Sequence, residues 1–165
     1  MSNVTFQGAA VPLSGSFPAK GTQATSFSLT AGDLSELTLE ALKGKKVILN
    51  IFPSIDTSVC AQSVRAFNEK AANQDNTVVL CISADLPFAA GRFCEVEGIE
   101  GVQHASTFRS PDFAQAYGVA IAEGALAGLT ARAVVCINEE GLITHSELVA
   151  EITEEPNYDA ALAAL

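Results

Sequence analysis

Three short, nearly uninterrupted apolar runs, at residues 47–52, 77–84 and 133–137, constrain this chain most. A strand with one wet face alternates apolar and polar residues; a run apolar at almost every position needs cover on both faces. Helical patterns lie between the runs. Over residues 58–73, Cys60, Val64, Phe67 and Ala71 recur at i, i+4, i+7 and i+11, while Arg65, Glu69 and Lys70 fall on the opposite side. Asp85 and Pro87 signal a helix start in a segment that runs to Gly98, and residues 111–117 and 157–165 give two more helices. Buried strands alternating with helices predict a mainly parallel sheet covered on both faces. Residues 142–149 follow a hairpin turn, Asn138-Glu139-Glu140-Gly141, and add antiparallel strands. The expected fold class is α/β: a central mixed sheet flanked by helices, an α/β sandwich.

A hairpin precedes it, with Val4 and Phe6 on one arm, Gly8-Ala9-Ala10 turning, and Val11 and Leu13 on the other. Phe27-Ser28-Leu29 is a further short alternating piece. No repeat or composition shift divides the chain, so residues 1–165 are expected to form one domain.

Charge and hydropathy narrow the partners. Nine Lys plus Arg against 19 Asp plus Glu give a net charge of −10, which repels nucleic acid and anionic membranes. With 48% hydrophobic and 17% charged residues, the chain buries a sizeable core and is not disordered. No apolar run reaches the ~18–20 residues of a membrane span. The stretch from Met1 to Gln7 has no basic start followed by an apolar segment, so no secretory leader is expected and the cytoplasm is the default address.

Four cysteines in such a chain raise the chemical question: Cys60, Cys81, Cys94 and Cys136. None forms a CxxC pair, and His104 and His145 lie far from each other and from any cysteine in sequence, so metal-ligand spacing is absent. Static disulfides are not expected in a reducing compartment. The thiols are core residues or redox-active ones, and the set is expected to hold some of each.

Cys60 has the most suggestive position. A buried strand stops at Pro53, a short turn follows, and Cys60 lands in the first turn of a helix. Helix N-termini present unpaired N–H groups and the positive end of the dipole, both of which favour thiolate over thiol. A free cysteine of pKa about 8.5 is only ~3% ionised at pH 7, so such help matters. Cys60 equally heads the apolar stripe of its helix, where a small buried hydrophobe would suffice. Thr57, three residues earlier, can offer a hydroxyl beside the sulfur or cap the helix.

The run Pro53-Ser54-Ile55-Asp56-Thr57-Ser58-Val59-Cys60 resembles the peroxiredoxin pattern Pro-x-x-x-Thr-x-x-Cys. Longer strings narrow it: Leu80-Cys81-Ile82-Ser83-Ala84-Asp85-Leu86-Pro87-Phe88, Arg92-Phe93-Cys94, Ser106-Thr107-Phe108-Arg109, Ala116-Tyr117-Gly118-Val119 and Ala131-Arg132-Ala133-Val134 resemble the atypical two-cysteine subfamily, the thiol peroxidases. The resemblance spans nearly the whole chain, N-terminal hairpin included. It implies a thioredoxin-like fold and reduction of hydrogen peroxide and alkyl hydroperoxides, with no metal or other cofactor. It further implies a homodimer recycled by thioredoxin. By resemblance Cys60 is the peroxidatic cysteine, Cys94 the resolving one, Thr57 a hydrogen-bond partner of sulfur and peroxide, Pro53 a shield over the pocket, and Arg132 the guanidinium that polarises the peroxide. An intramolecular Cys60–Cys94 disulfide is likewise implied. Those two cysteines fall on different helices, so a segment has to unwind for them to meet, and Gly91 and Gly98 lower that cost. Cys81 and Cys136, inside apolar runs, are expected to be structural.

Two other classes fit these residues less well. A cysteine phosphatase needs a Cys and an Arg bracketing a glycine-rich phosphate loop; Cys60 and Arg65 have four residues between them and no glycine. A thioredoxin-like binding or chaperone module is the stronger rival, and the presence of Cys60, Thr57 and Arg132 together weighs against it.

Overall fold

The computed structural model describes residues 3–71 and 73–165. Met1 and Ser2, which head the stretch read as leader-free, and Ala72, within the helix expected over residues 58–73, lie outside the described residues.

The three apolar runs form β5 (Lys46–Ile51), β6 (Thr77–Ser83) and β9 (Ala133–Ile137). Each turns alternate side chains to opposite faces, as the period of two requires. Val47, Leu49, Ile51, Leu80, Ile82, Val135 and Ile137 enter one core. Ile48, Phe52, Val79, Cys81, Val134 and Cys136 enter a second. Helix α1 (Ser58–Lys70) covers the second core through the predicted stripe of Cys60, Val64, Phe67 and Ala71. Ala161 of α4 (Tyr158–Ala163) closes the same side, with Tyr158 edge-on to Phe67 at 5.2 Å between ring centroids. Helix α2 (Pro87–Glu97) contributes Phe93 and Cys94 at the margin of that core. Gly98 ends α2 in the left-handed region at φ 67°, the stop expected of a glycine there.

The seven-stranded sheet runs in the order β10-β9-β5-β6-β7-β3-β4, with β3 at Ser28–Ala31, β4 at Glu36–Thr38, β7 at Gln103–Ser106 and β10 at Ile143–Leu148. Only β5–β6 and β6–β7 pair in parallel; β9 runs antiparallel to β5, and β3 to β7. The sheet is thus the mixed one expected, with fewer parallel pairings than the strand-helix alternation alone suggests. A strand buried on both faces reads the same in either direction, so apolar pattern alone does not orient β9.

A second sheet, β1-β2-β8, packs on the first core. It holds the hairpin of β1 (Asn3–Phe6) and β2 (Ala9–Ser14) with the short β8 (Ala120–Ile121). The hairpin turns at Gln7-Gly8, both at positive φ, rather than at Gly8-Ala10; that is the twist a two-residue turn needs. Helix α3 (Pro111–Ala116) lies on this side, its Phe113 stacked on Tyr117 at 4.8 Å. Among the described residues no helix is long and apolar enough to cross a membrane.

Candidate active site around Cys60

The site is built where β5 runs out. Pro53 ends the strand, residues 54–57 loop outward, and Thr57 stands at the N-cap of α1, accepting from the Ala61 N–H at 2.9 Å through its carbonyl. Its side chain makes no cap. Instead the Thr57 hydroxyl donates to the Ser54 carbonyl at 2.9 Å, which leaves the oxygen's lone pairs free. Cys60 follows in the first turn, fully buried at 0% exposure. Behind it, Asn50 donates to Ser63 Oγ at 3.2 Å and Ser63 donates to the Cys60 carbonyl at 2.7 Å, fixing the helix start against β5.

Arg132 enters from the residue before β9. It is 1% exposed and forms no surface ion pair among the described residues. Its Nε donates to the Ile152 carbonyl at 2.9 Å, and its Nη2 lies 3.2 Å from Cys60 Sγ. Nη1 is buried without a partner, and no carboxylate pairs with this guanidinium among the described residues. A buried charge without an anion is costly, which makes the sulfur its natural counterpart. Ile152 is held in turn by its N–H, which donates to the Thr5 carbonyl at 2.8 Å, and beside it the Glu151 carboxylate accepts from Gly8 N–H at 2.8 Å and Thr153 N–H at 2.9 Å. Those backbone and hydroxyl donors, led by Thr153, hold the Glu151 carboxyl down at about 2. The N-terminal hairpin is thereby tied to the loop that orients Arg132.

Pro53, Thr57 and Arg132 line one cleft of about 260 Å³, whose other walls include Phe6, Leu126, Leu129 and Ile152. A larger hollow of about 640 Å³ beside Arg109 and Phe113 touches none of these residues. Asp85 braces the outer loop. Its carboxylate accepts from Ser54 Oγ at 2.8 Å, Ile55 N–H at 2.7 Å and Ser83 Oγ at 2.6 Å. Since Ser83 gives its only proton to Asp85, His104 Nε2 donates to Ser83 Oγ at 2.9 Å, leaving Nδ1 bare and buried. Burial pushes the His104 imidazole down to about 4, opposed in part by the Asp85 charge.

The four cysteines are all free. Cys94, on α2, is half-buried, and burial raises its thiol above the ordinary value. It reaches the edge of the core that holds Cys60, and the two are not bonded. Cys81 and Cys136 are buried in strands, each pushed up to about 12 chiefly by desolvation, which suits inert thiols. Among the described residues no three His, Cys, Asp or Glu side chains cluster as metal ligands would.

Sequence reasoning missed Ile152, Glu151 and Phe6 as parts of this site. A carbonyl acceptor and a distant hairpin leave no local signal; Glu151 reads as one surface carboxylate among 19 acidic residues.

The Redoxin family profile matches residues 19–162. The chain is 52% identical to a thiol peroxidase of Vibrio cholerae over 98% of its own length and 99% of the relative's. It is 53% identical to a thiol peroxidase of Mycobacterium tuberculosis, covering 100% of this chain and 99% of that one. A peroxiredoxin-like protein from Aquifex aeolicus superposes with a TM-score of 0.92 at 41% identity, over 98% of this chain and 94% of that chain.

Proposed function

The chain belongs to the Redoxin family, as a peroxiredoxin-type thiol peroxidase with a thioredoxin-like fold, and from that membership we propose that Cys60 is the sulfur its peroxides meet. The observation that carries this reading is the 3.2 Å approach of Arg132 Nη2 to Cys60 Sγ inside a site where that guanidinium has no carboxylate partner among the described residues.

The Cys60 thiolate attacks one peroxide oxygen; an S–O bond forms, the O–O bond breaks, and the departing oxygen takes a proton to leave as water or an alcohol. Cys60 becomes a sulfenic acid. Negative charge grows on the leaving oxygen, where the unpartnered Arg132 Nη1 is available to donate. The Thr57 hydroxyl, its proton already given to Ser54, is free to accept from the peroxide O–H. Pro53 walls off water on one side. Phe6, Leu126, Leu129 and Ile152 favour the organic tail of an alkyl hydroperoxide alongside hydrogen peroxide.

In the second step the Cys94 thiol attacks the Cys60 sulfenic acid, an S–S bond forms and water leaves. Thioredoxin then reduces the bridge, its own dithiol becoming a disulfide. Sulfur carries the whole cycle, so no metal, haem or flavin is required. On this reading residues 1–165 act as one domain, as a homodimer, in the cytoplasm where thiols stay reduced. The test is peroxide consumption driven by thioredoxin, with mass mapping of the protein after one equivalent of peroxide. Oxidation confined to Cys60 and Cys94 supports the reading; a bridge from Cys60 to the Cys60 of a second copy contradicts it.

A further inference from the structure

Helix α2 carries Cys94 but is weakly seated. It buries only Pro87 and Ala90, against six buried residues in α1, and it leaves Phe88 70% and Val96 77% exposed. Gly91 interrupts it, with open space where a Cβ would stand, so packing does not demand glycine there. Among the described residues one side-chain clasp joins α2 to another element, and it reaches α1, the helix of Cys60. Arg65 donates Nε to Glu97 Oε2 at 3.2 Å and Nη2 to Glu97 Oε1 at 2.7 Å, a two-point fork. The same guanidinium lies 5.6 Å from the ring centroid of Phe93, the residue before Cys94. Both charged side chains are partly open to solvent, at 43% and 33% exposure, within reach of screening by salt.

We propose that Arg65 is a positioning residue for disulfide formation: its fork on Glu97 and its stacking on Phe93 keep α2 wound, and opening of this clasp sets how fast Cys94 is delivered to oxidised Cys60. The inference rests on the Cys60–Cys94 cycle proposed above. The clasp sits on the face of α1 opposite the Cys60 stripe, so peroxide attack does not depend on it. Exposed ion pairs and cation–π contacts of this kind are small, and their joint loss corresponds to about a three- to tenfold change in an opening equilibrium.

Arg65→Gln, read by rapid alkylation quench and mass spectrometry, is expected to form the disulfide about three- to tenfold faster. Its rate of Cys60 oxidation should stay within about twofold of wild type, and it should need more peroxide to reach the sulfinic acid. Salt should speed disulfide formation in wild type and not in the variant. The charge swap Arg65→Glu with Glu97→Arg should return the slow rate in part. Gly91→Ala, which strengthens the helix without a clash, should shift disulfide formation the other way, slowing it several-fold. A wild type that bridges Cys60 to Cys94 while Arg65→Gln bridges at the same rate or slower overturns the clasp alone. A wild type that forms no such bridge overturns the cycle, and the clasp with it.

Discussion

Arg132 Nη2 stands 3.2 Å from Cys60 Sγ, although the two residues are 72 positions apart in the chain. Neither side chain meets solvent, and the guanidinium is aimed by the Ile152 carbonyl at 2.9 Å rather than by any acid. On the proposed cycle, a cation fixed beside a sulfur with one donor still unused would meet the charge that appears only as the O–O bond breaks.

Replacing it tests that readiness. Arg132→Met should slow peroxide consumption tenfold or more, equivalent to ~1.4 kcal/mol of barrier. Arg132→Lys should recover only part, since a point charge does not present a planar fork. The thermal midpoint should move little, because the lost Ile152 bond is offset by removal of a buried charge. Stopped-flow peroxide kinetics beside thermal unfolding separate the two effects; unchanged kinetics would leave Arg132 with a structural role alone.

Cys60→Ser should abolish turnover, whereas Cys94→Ser should give one fast turnover and then accumulate sulfenic and sulfinic acid at Cys60. Peroxide titration followed by mass mapping reads both. Equal loss of the first turnover in the two variants would contradict their division of labour.

Asp85→Asn swaps one carboxylate oxygen for an amide that cannot accept, stranding a donor among Ser54, Ile55 and Ser83. The expected cost is about 1–3 kcal/mol, a fall of roughly 3–10 °C in Tm for a chain this size. The first oxidation of Cys60 should slow as well, because residues 54–57 lead directly into its helix. Thermal unfolding and single-turnover kinetics on the same sample check the link.

His104 should make stability pH-dependent with a defined sign. It stays neutral when folded down to about 4, while the unfolded chain takes the proton near 6.5. The unfolded state therefore binds more protons between those values. Its contribution is complete above 6.5 and declines as pH falls towards 4, by ~1.4 kcal/mol per pH unit. Urea unfolding from pH 7 to 4.5 should show a shallower decline for His104→Gln than for wild type; parallel curves would refute the assignment.

The strands β5, β6 and β9 and the four α-helices among the described residues are legible in the chain because burial on two faces, or on one stripe, imposes its period locally. β7 is not, since Gln103-His104-Ala105-Ser106 has no apolar run. Its polar groups are tolerated only because Ser83 and the Asp85 carbonyl meet them from other elements. β4 and the two-residue β8 are too short for a period to show. Gly91 and Gly98 mark α2 as a weak helix in the sequence, but nothing local announces that Glu97 would be gripped by Arg65.

Chain order was enough to set the strand-helix alternation and to place Cys60 in the first turn of a helix behind Pro53. Those are properties of near neighbours, where period, capping and charge balance act over a few residues. Tertiary structure alone decided that β9 runs antiparallel to β5, that Ile152 and the N-terminal hairpin close the cleft, and that Arg132 meets the sulfur rather than a surface acid. The reason is desolvation. Whether a guanidinium pairs with water, a carboxylate or a sulfur depends on which groups the packed sheet removes from solvent together, and chain order does not record that.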